Sequence, residues 1–313
     1  MNVCLESKTY SVKAHDDIMR QWEEVRFESG PLTLDLRNLG FIDPFAMCGL
    51  VLFINHLPDD ALPVKLLLPG WPQGAMQTTK PSEKNLLEAM PNGPVSYLTR
   101  MGFWDLVRNK LDCRENQIPV WPSYLPERKV LLDLTVMHSH DAISVMLRRT
   151  GELLQGIGYS IVGRGHVMEV LSELCSNVLL HAQADFGGVA AMQTYRNKQD
   201  TRYLVIGIGD MGIGVRQSLA GNEKLSGRLE NDAQSLGVAV QMGATRYGSG
   251  GHGGGLPRVL DIARRYAGRV ALRSGSGALA YNGVDEQRRS FQTSFLQGTH
   301  LRIVLPEAKL KGK

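Results

Sequence analysis

Between Tyr203 and Gly214 an apolar run, Tyr-Leu-Val-Ile-Gly-Ile-Gly, stops at Asp210 and passes into Met211-Gly212-Ile213-Gly214. Such a run predicts a strand that ends on an aspartate and a glycine turn. Glycines allow φ > 0 and let backbone approach a flat ligand closely. An aspartate buried at that point must be paired. The exocyclic amine of adenine is a suitable partner, because it donates where a carboxylate accepts. A plain strand-ending turn explains the same residues. So does a third pattern: Gly207, Gly209 and Gly212 fit G-x-G-x-x-G after a strand, and Glu230 or Asp232 follows about 20 residues on, as in a dinucleotide fold.

Upstream, Gly165 to His181 is expected to be a helix. Val167, Val170, Leu171, Leu174, Val178 and Leu179 form its apolar stripe. Glu173, Asn177 and His181 are spaced four apart, so they stack on a neighbouring face. A carboxylate there can act as a general base. An amide oxygen can ligate Mg²⁺, a hard cation that prefers oxygen. A solvated polar face is the ordinary alternative. The dinucleotide reading leaves this helix without a use, and a Rossmann domain normally opens with its glycine motif.

Downstream, Tyr247 to Leu256 is dominated by glycine, with Gly248, Gly250, Gly251, Gly253, Gly254 and Gly255. Ordering such a loop costs much entropy. The helix Pro257 to Ala267 follows it. Backbone N–H groups and a helix N-terminus at that junction suit an anion. Arg246 and Arg258 flank the loop and are candidates to neutralise phosphate. No Gly-Lys-Ser/Thr ends the loop, so it is not a Walker A motif. Gly298-Thr299 precedes the strand Leu301 to Leu305, and the Thr299 hydroxyl is a candidate to bond a base.

The first block alternates strand and helix. A helix is expected over His15–Phe27, a strand over Pro31–Leu36, a helix over Phe45–Leu57 and a strand over Pro63–Leu68. Asp43 and Pro44 stand as N-cap and first residue of the second helix. Lys84–Met90 and Val95–Val107 are expected to be helical around Pro91-Asn92-Gly93. Residues 112–128, with three prolines, are the expected linker. Lys129–Leu134, Val189–Thr194, Tyr203–Gly209, Arg269–Arg273 and Leu301–Leu305 are expected strands, and His140–Leu154 a further helix.

Composition closes off other classes. Apolar content of 43% with 21% charged residues is that of a folded chain of 313 residues, long enough for about two domains. A net charge of only +4, with no basic stripe, gives no footprint for nucleic acid. Cys4, Cys48, Cys113 and Cys175 form no CxxC pair, against a zinc site or disulfide framework. The N-terminus has no secretory pattern, and the longest apolar stretch, Ala46–Leu57, is broken by Asn55 and His56. A cytoplasmic protein with no membrane partner is expected.

In order, Glu173-xxx-Asn177, Asp210-x-Gly212-x-Gly214, the glycine-rich segment and Gly298-Thr299 resemble the motifs of the GHKL ATPases. That superfamily holds the ATP-binding domains of gyrase, MutL and histidine kinases. The anti-sigma-factor serine kinase type is the most similar variant. The resemblance covers about residues 129–308, with 309–313 as a basic tail. It implies an α/β (Bergerat) sandwich with helices on one face of a mixed sheet. It implies ATP and Mg²⁺ as cofactors, Glu173 as base, Asn177 as the Mg²⁺ ligand and Asp210 as the reader of adenine. Gly212, Gly214, Arg246, Gly250, Gly251, Gly253, Gly254, Gly255, Leu256 and Thr299 would bind nucleotide, with His181 in support.

Residues 1–111 resemble a STAS domain through Leu32-Thr33-Leu34-Asp35-Leu36, Gly40-Phe41-Ile42-Asp43 and Tyr97-Leu98-Thr99-Arg100-Met101-Gly102-Phe103-Trp104. That family places Ser or Thr directly after the aspartate. Here Pro44 and Phe45 stand there, which implies docking rather than phosphoacceptance. Together the resemblances imply an ATPase or a Ser/Thr protein kinase that controls a partner protein. A homodimer is open. A non-catalytic, ATP-dependent scaffold is the alternative, and a Rossmann oxidoreductase is the less favoured one. A sensor histidine kinase is disfavoured, because His138-Ser139-His140 has no paired long helix.

Overall fold

The structure is a computed structural model, and it describes residues 1–69, 93–112, 130–179, 186–241, 244 and 254–312. Its architecture is mixed α and β. The N-terminal part runs β1 (Asn2–Cys4), β2 (Thr9–Tyr10), α1 (Val12–Val25), β3 (Thr33–Asp35), β4 (Phe41–Ile42), α2 (Pro44–Asn55) and β5 (Lys65–Leu67). After the segment 70–92, which lies outside the described residues together with the expected helix Lys84–Met90, come α3 (Pro94–Arg100) and α4 (Phe103–Val107). Strands β1, β3 and β5 form a parallel sheet in that order, and β2 pairs in parallel with β4.

Helix α2 starts where the sequence indicates. The Asp43 carboxylate accepts the Ala46 N–H at 3.0 Å, and Pro44 fills the first turn, where no N–H is missed. Every residue from Pro44 to Ile54 is buried. A helix apolar all round must be covered all round, and α2 is: it lies between the N-terminal elements and a second, larger sheet. Helix α1 reaches back to Val12, three residues before the expected start, because Val12-Lys13-Ala14 holds no breaker and Ser11 precedes it in extended conformation.

The larger part runs β6 (Leu132–Met137), α5 (His140–Gly156), α6 (Ile161–Asn177), β7 (Gly188–Arg196), β8 (Arg202–Asp210), α7 (Gly214–Ala220), α8 (Asp232–Ala239), α9 (Gly255–Arg265), β9 (Arg269–Asn282), β10 (Gln287–Pro306) and α10 (Glu307–Leu310). Its sheet has the order β6-β7-β8-β10-β9, and each pair is antiparallel. The expected linker, 112–128, lies almost wholly outside the described residues. The segment 309–313, expected to be a basic tail, is folded as far as Leu310, which is fully buried. Ser139, Ser160 and Asn231 cap α5, α6 and α8 through side-chain oxygens. The Ser160 cap starts α6 at Ile161, ahead of the expected Gly165.

The two faces of this sheet have different covers. Leu204, Ile206 and Ile208 of β8 join a core with Leu171 and Leu174 of α6 and Ile262 of α9. Val189 and Ala191 of β7 point the other way, into the core that contains α1 and α2. Gly207 and Gly209 also face that way. A Cβ at Gly207 would overlap the Pro44 carbonyl and the Phe45 amide, and one at Gly209 would crowd Leu52 and His300. These glycines let the N-terminus of α2 lie directly on the strand.

That contact, together with the topology, removes the dinucleotide reading. Both neighbours of β8, β7 and β10, run antiparallel to it, whereas a Rossmann unit needs a parallel β-α-β crossover. Gly207 and Gly209 are packing glycines.

Two ion pairs fasten the same interface. Arg302 Nε meets Asp43 Oδ2 at 2.6 Å, and buried Arg273 pairs with Asp16 of α1. Beside them the rings of His15 and His300 stack at 5.9 Å. His15 Nδ1 meets the Tyr10 hydroxyl at 3.1 Å. Among the described residues its Nε2 has no hydrogen-bond partner.

Candidate functional site

Helix α6 carries Glu173 and Asn177 on its outer side, with Val167, Val170, Leu171 and Leu174 buried beneath. The helix ends at Asn177, and the next residue, Val178, packs on Gly188: a Cβ added there would lie 2.7 Å from Val178 Cγ1. Gly188 is the register partner of Asp210. The sheet thereby sets the end of α6 beside the end of β8. His181, expected on the same helix face, lies outside the described residues.

The first residue of α9 comes down on this helix. A Cβ built on Gly255 would be 2.9 Å from Glu173 Oε2 and 3.3 Å from Asn177 Nδ2. The start of the helix thus lies close to both groups. Helix α9 is tied to α6 by Arg258, whose Nε and Nη2 meet the two oxygens of Glu169 at 2.5 and 3.0 Å. The same guanidinium bonds Asp261 at 2.9 Å. Arg258, read in the sequence as a phosphate neutraliser, is therefore spoken for by two carboxylates. Glu169 is held below the usual carboxylate range, first by its hydrogen bonds to Arg258. Leu256 is half-buried and bridges two apolar clusters. Gly254 is described, just before α9. Arg246, Gly250, Gly251 and Gly253 lie outside the described residues.

Asp210 closes β8 and is 6% exposed. Its Oδ1 accepts the Gly212 N–H at 2.8 Å, the short turn that the glycine spacing indicates. Burial raises its pKa to about 6, while the backbone N–H groups of Gly212 and Thr299 pull it down. Thr299 stands opposite Asp210 on β10. Gly298 must be glycine: its φ is +77°, and a Cβ would overlap the Asp210 carbonyl.

Ser274 is the residue that sequence reading missed. Its hydroxyl accepts the Val215 N–H at 2.9 Å and donates to the Gly298 carbonyl at 2.7 Å. It lies 3.5 Å from the Thr299 hydroxyl. One serine thus ties the turn after Asp210 to the turn before Thr299. The Cβ of any residue at Gly214, which has φ +76°, would press on this hydroxyl. Nothing in the string Arg273-Ser274-Gly275 marks that role, since it depends on β9 pairing with β10.

The structure therefore brings Glu173, Asn177 and Gly255 together, and sets Asp210, Gly212, Gly214 and Thr299 at the adjoining strand ends. Among the described residues no group of three His, Cys, Asp or Glu side chains is placed to hold a metal ion. A hard cation held by one amide oxygen and ligand oxygens does not need such a group. No helix of the described residues is long and apolar enough to cross a membrane. Cys4, Cys48 and Cys175 are free thiols. His138 and His140 sit at the turn into α5, capped by Ser139.

No family model matches the chain, and no curated protein matches it. Among solved structures it is similar to the histidine kinase domain of the blue-light activated histidine kinase EL346 from Erythrobacter litoralis. The two are 14% identical, with a TM-score of 0.25, and the match covers 54% of this chain and 63% of that one. The match thus spans less than two thirds of that kinase domain's length.

Proposed function

We propose that the protein binds Mg²⁺–ATP in a GHKL-type site and uses it to control a partner protein, by hydrolysis or by phosphoryl transfer to Ser or Thr. The carrying observation is the approach of Gly255, at the start of α9, to Glu173 and Asn177. A carboxylate, an amide and exposed helix N–H groups at one point suit a metal-bound triphosphate. Asn177 would give its amide oxygen to Mg²⁺, and Asp210 would accept the adenine amine. Glu173 would take the proton from the attacking oxygen. The N–H groups of Gly255 and Leu256 would face the phosphates.

Incubation of the purified protein with Mg²⁺ and γ-labelled ATP, alone and with cell lysate, tests the reading. Free phosphate or a labelled protein supports it. Glu173→Ala should lower that turnover by roughly 10²–10⁴ while ATP affinity stays near wild type. Turnover unchanged in the variant removes Glu173 from the mechanism. Calorimetry that detects no ATP binding with Mg²⁺ present removes the site altogether.

A further inference from the structure

Strand β9 bends at Gly275-Ser276-Gly277. Asp232 of α8 holds the bend, accepting the Ser276 N–H at 2.8 Å, and Gly275 has φ +57°. The strand then doubles back, so that the Gly283 N–H donates to the Gly268 carbonyl at 2.8 Å. Ala271 and Ala280 consequently floor one open groove of about 350 Å³ on the side of the sheet where Arg302 meets Asp43. Their cross-strand partners are Arg302 and Arg289, and Arg269 lines the same groove. Asp285 is the only carboxylate in that lining. Arg302 is paired with Asp43, whereas Arg269 and Arg289 are exposed and form no ion pair among the described residues.

A second observation lies beside the groove. Residues Gln287–Gln292 of β10 pair with β9 on one side, and pairing of β10 with β8 begins only at Thr299. Their other side is an open strand edge among the described residues. Phe291, half exposed, is two residues from Arg289 and so shares its face.

We propose that this edge, Gln287–Gln292, docks an extended acidic segment of a partner protein as an added strand. Main-chain hydrogen bonds would give affinity, and alternate side chains would give selectivity. Carboxylates on one face of the added strand meet Arg289 and reach toward Arg269 across the groove, and an apolar residue two positions beyond Arg289's partner on that same face rests on Phe291. Two guanidiniums free of acidic partners fit carboxylates better than any other common side chain. The same arginines could serve only to blunt the edge against aggregation, and the test separates the two roles. The inference is independent of the nucleotide site.

The probe is a fluorescein-labelled peptide with glutamate, glutamate and valine at successive alternate positions and threonine between them (Glu-Thr-Glu-Thr-Val), added to the full-length protein without nucleotide. Fluorescence anisotropy and amide hydrogen exchange are the readouts. Binding is expected, with new protection at Gln287–Gln292 and none from a lysine–valine peptide. Arg289→Glu and Arg269→Glu, both at exposed positions, should each weaken it by about tenfold, while Arg289→Lys retains most of it. The proposal is overturned by absence of binding, by binding that ignores both charge reversals, or by binding without protection of the edge. Displacement by inorganic phosphate at the peptide's own concentration overturns it too, since that marks a simple anion hole.

Discussion

Gly207 and Asp210 sit three residues apart on one strand and do unrelated work. Gly207 leaves room for a helix terminus on one side of the sheet. Gly207→Ala sets a methyl group against backbone atoms of Pro44 and Phe45, which cannot turn aside as a side chain can. Overpacking of this kind costs about 1–3 kcal/mol, and thermal unfolding followed by circular dichroism should show a lowered Tm. An unchanged Tm would mean that α2 is not seated as described. In the proposed function Asp210 faces the adenine instead. Its pKa is about 6, raised by burial, so a growing share of it is protonated as pH falls through 6. A protonated acid offers a weaker acceptor to the adenine amine. ATP affinity measured by calorimetry should therefore weaken between pH 7.5 and 5 more in the wild type than in Asp210→Asn. The titration of ATP's own phosphates is common to both proteins and cancels in that comparison. Asp210 was legible in the sequence because a strand, an aspartate and two spaced glycines are local signals. Ser274 was not, because its two partners, Val215 and Gly298, are far from it in sequence and near it only through the sheet.

Helix α9 shows how an element can place a site without adding a reacting group. Its first residue lies beside Glu173 and Asn177, and Arg258 pairs with Glu169 to hold it to α6. Both side chains are about one-third exposed, so Arg258→Ala should cost no more than about 1 kcal/mol of stability. Its effect should fall on nucleotide instead: a weaker Kd for ATP, with unfolding by urea almost unaltered. The opposite pattern, a large loss of stability with an unchanged Kd, would make the pair structural. The cap of α2 was legible, since Asp43 acts within three residues of itself, whereas the Ser160 cap went unread and the expected start of α6, Gly165, fell four residues late. The return of β9 was not legible. Gly275 and Gly277 signal a break in a strand, yet the direction after the break is fixed by Asp232 on another element.

At the scale of the molecule the sheet has no free broad side near β7 and β8, because α1 and α2 cover what α5, α6 and α9 leave open. The interface is polar at its centre. Burial lowers the His300 pKa to about 3, with Arg273 adding to the effect, and burial also holds His15 well below the usual range. A histidine with a depressed folded-state pKa is neutral in the fold and takes up a proton on unfolding. Its contribution to stability is complete above the ordinary histidine pKa of about 6.5 and is lost as pH falls below that value. The urea midpoint should drop steadily from pH 6.5 toward 4. His300→Phe, which removes one of these groups, should flatten the drop. A midpoint level across that range would place the two rings in contact with water. The alternation of strand and helix in each half was legible in the sequence. The way the halves share a sheet was not, because α2 is apolar on all sides and its composition does not say what lies on either side.

The seat of α2 on β8 also constrains how such a sequence can change over time. A side chain gained at Gly207 has no space unless the backbone at Pro44 and Phe45 withdraws. Loss of the Asp43 charge leaves the Arg302 guanidinium half-buried without its acid. Substitutions at positions more than a hundred and fifty residues apart should therefore arrive in pairs among descendants of this chain. Recombination within 113–129 should succeed only when both parents carry matching versions of the seam.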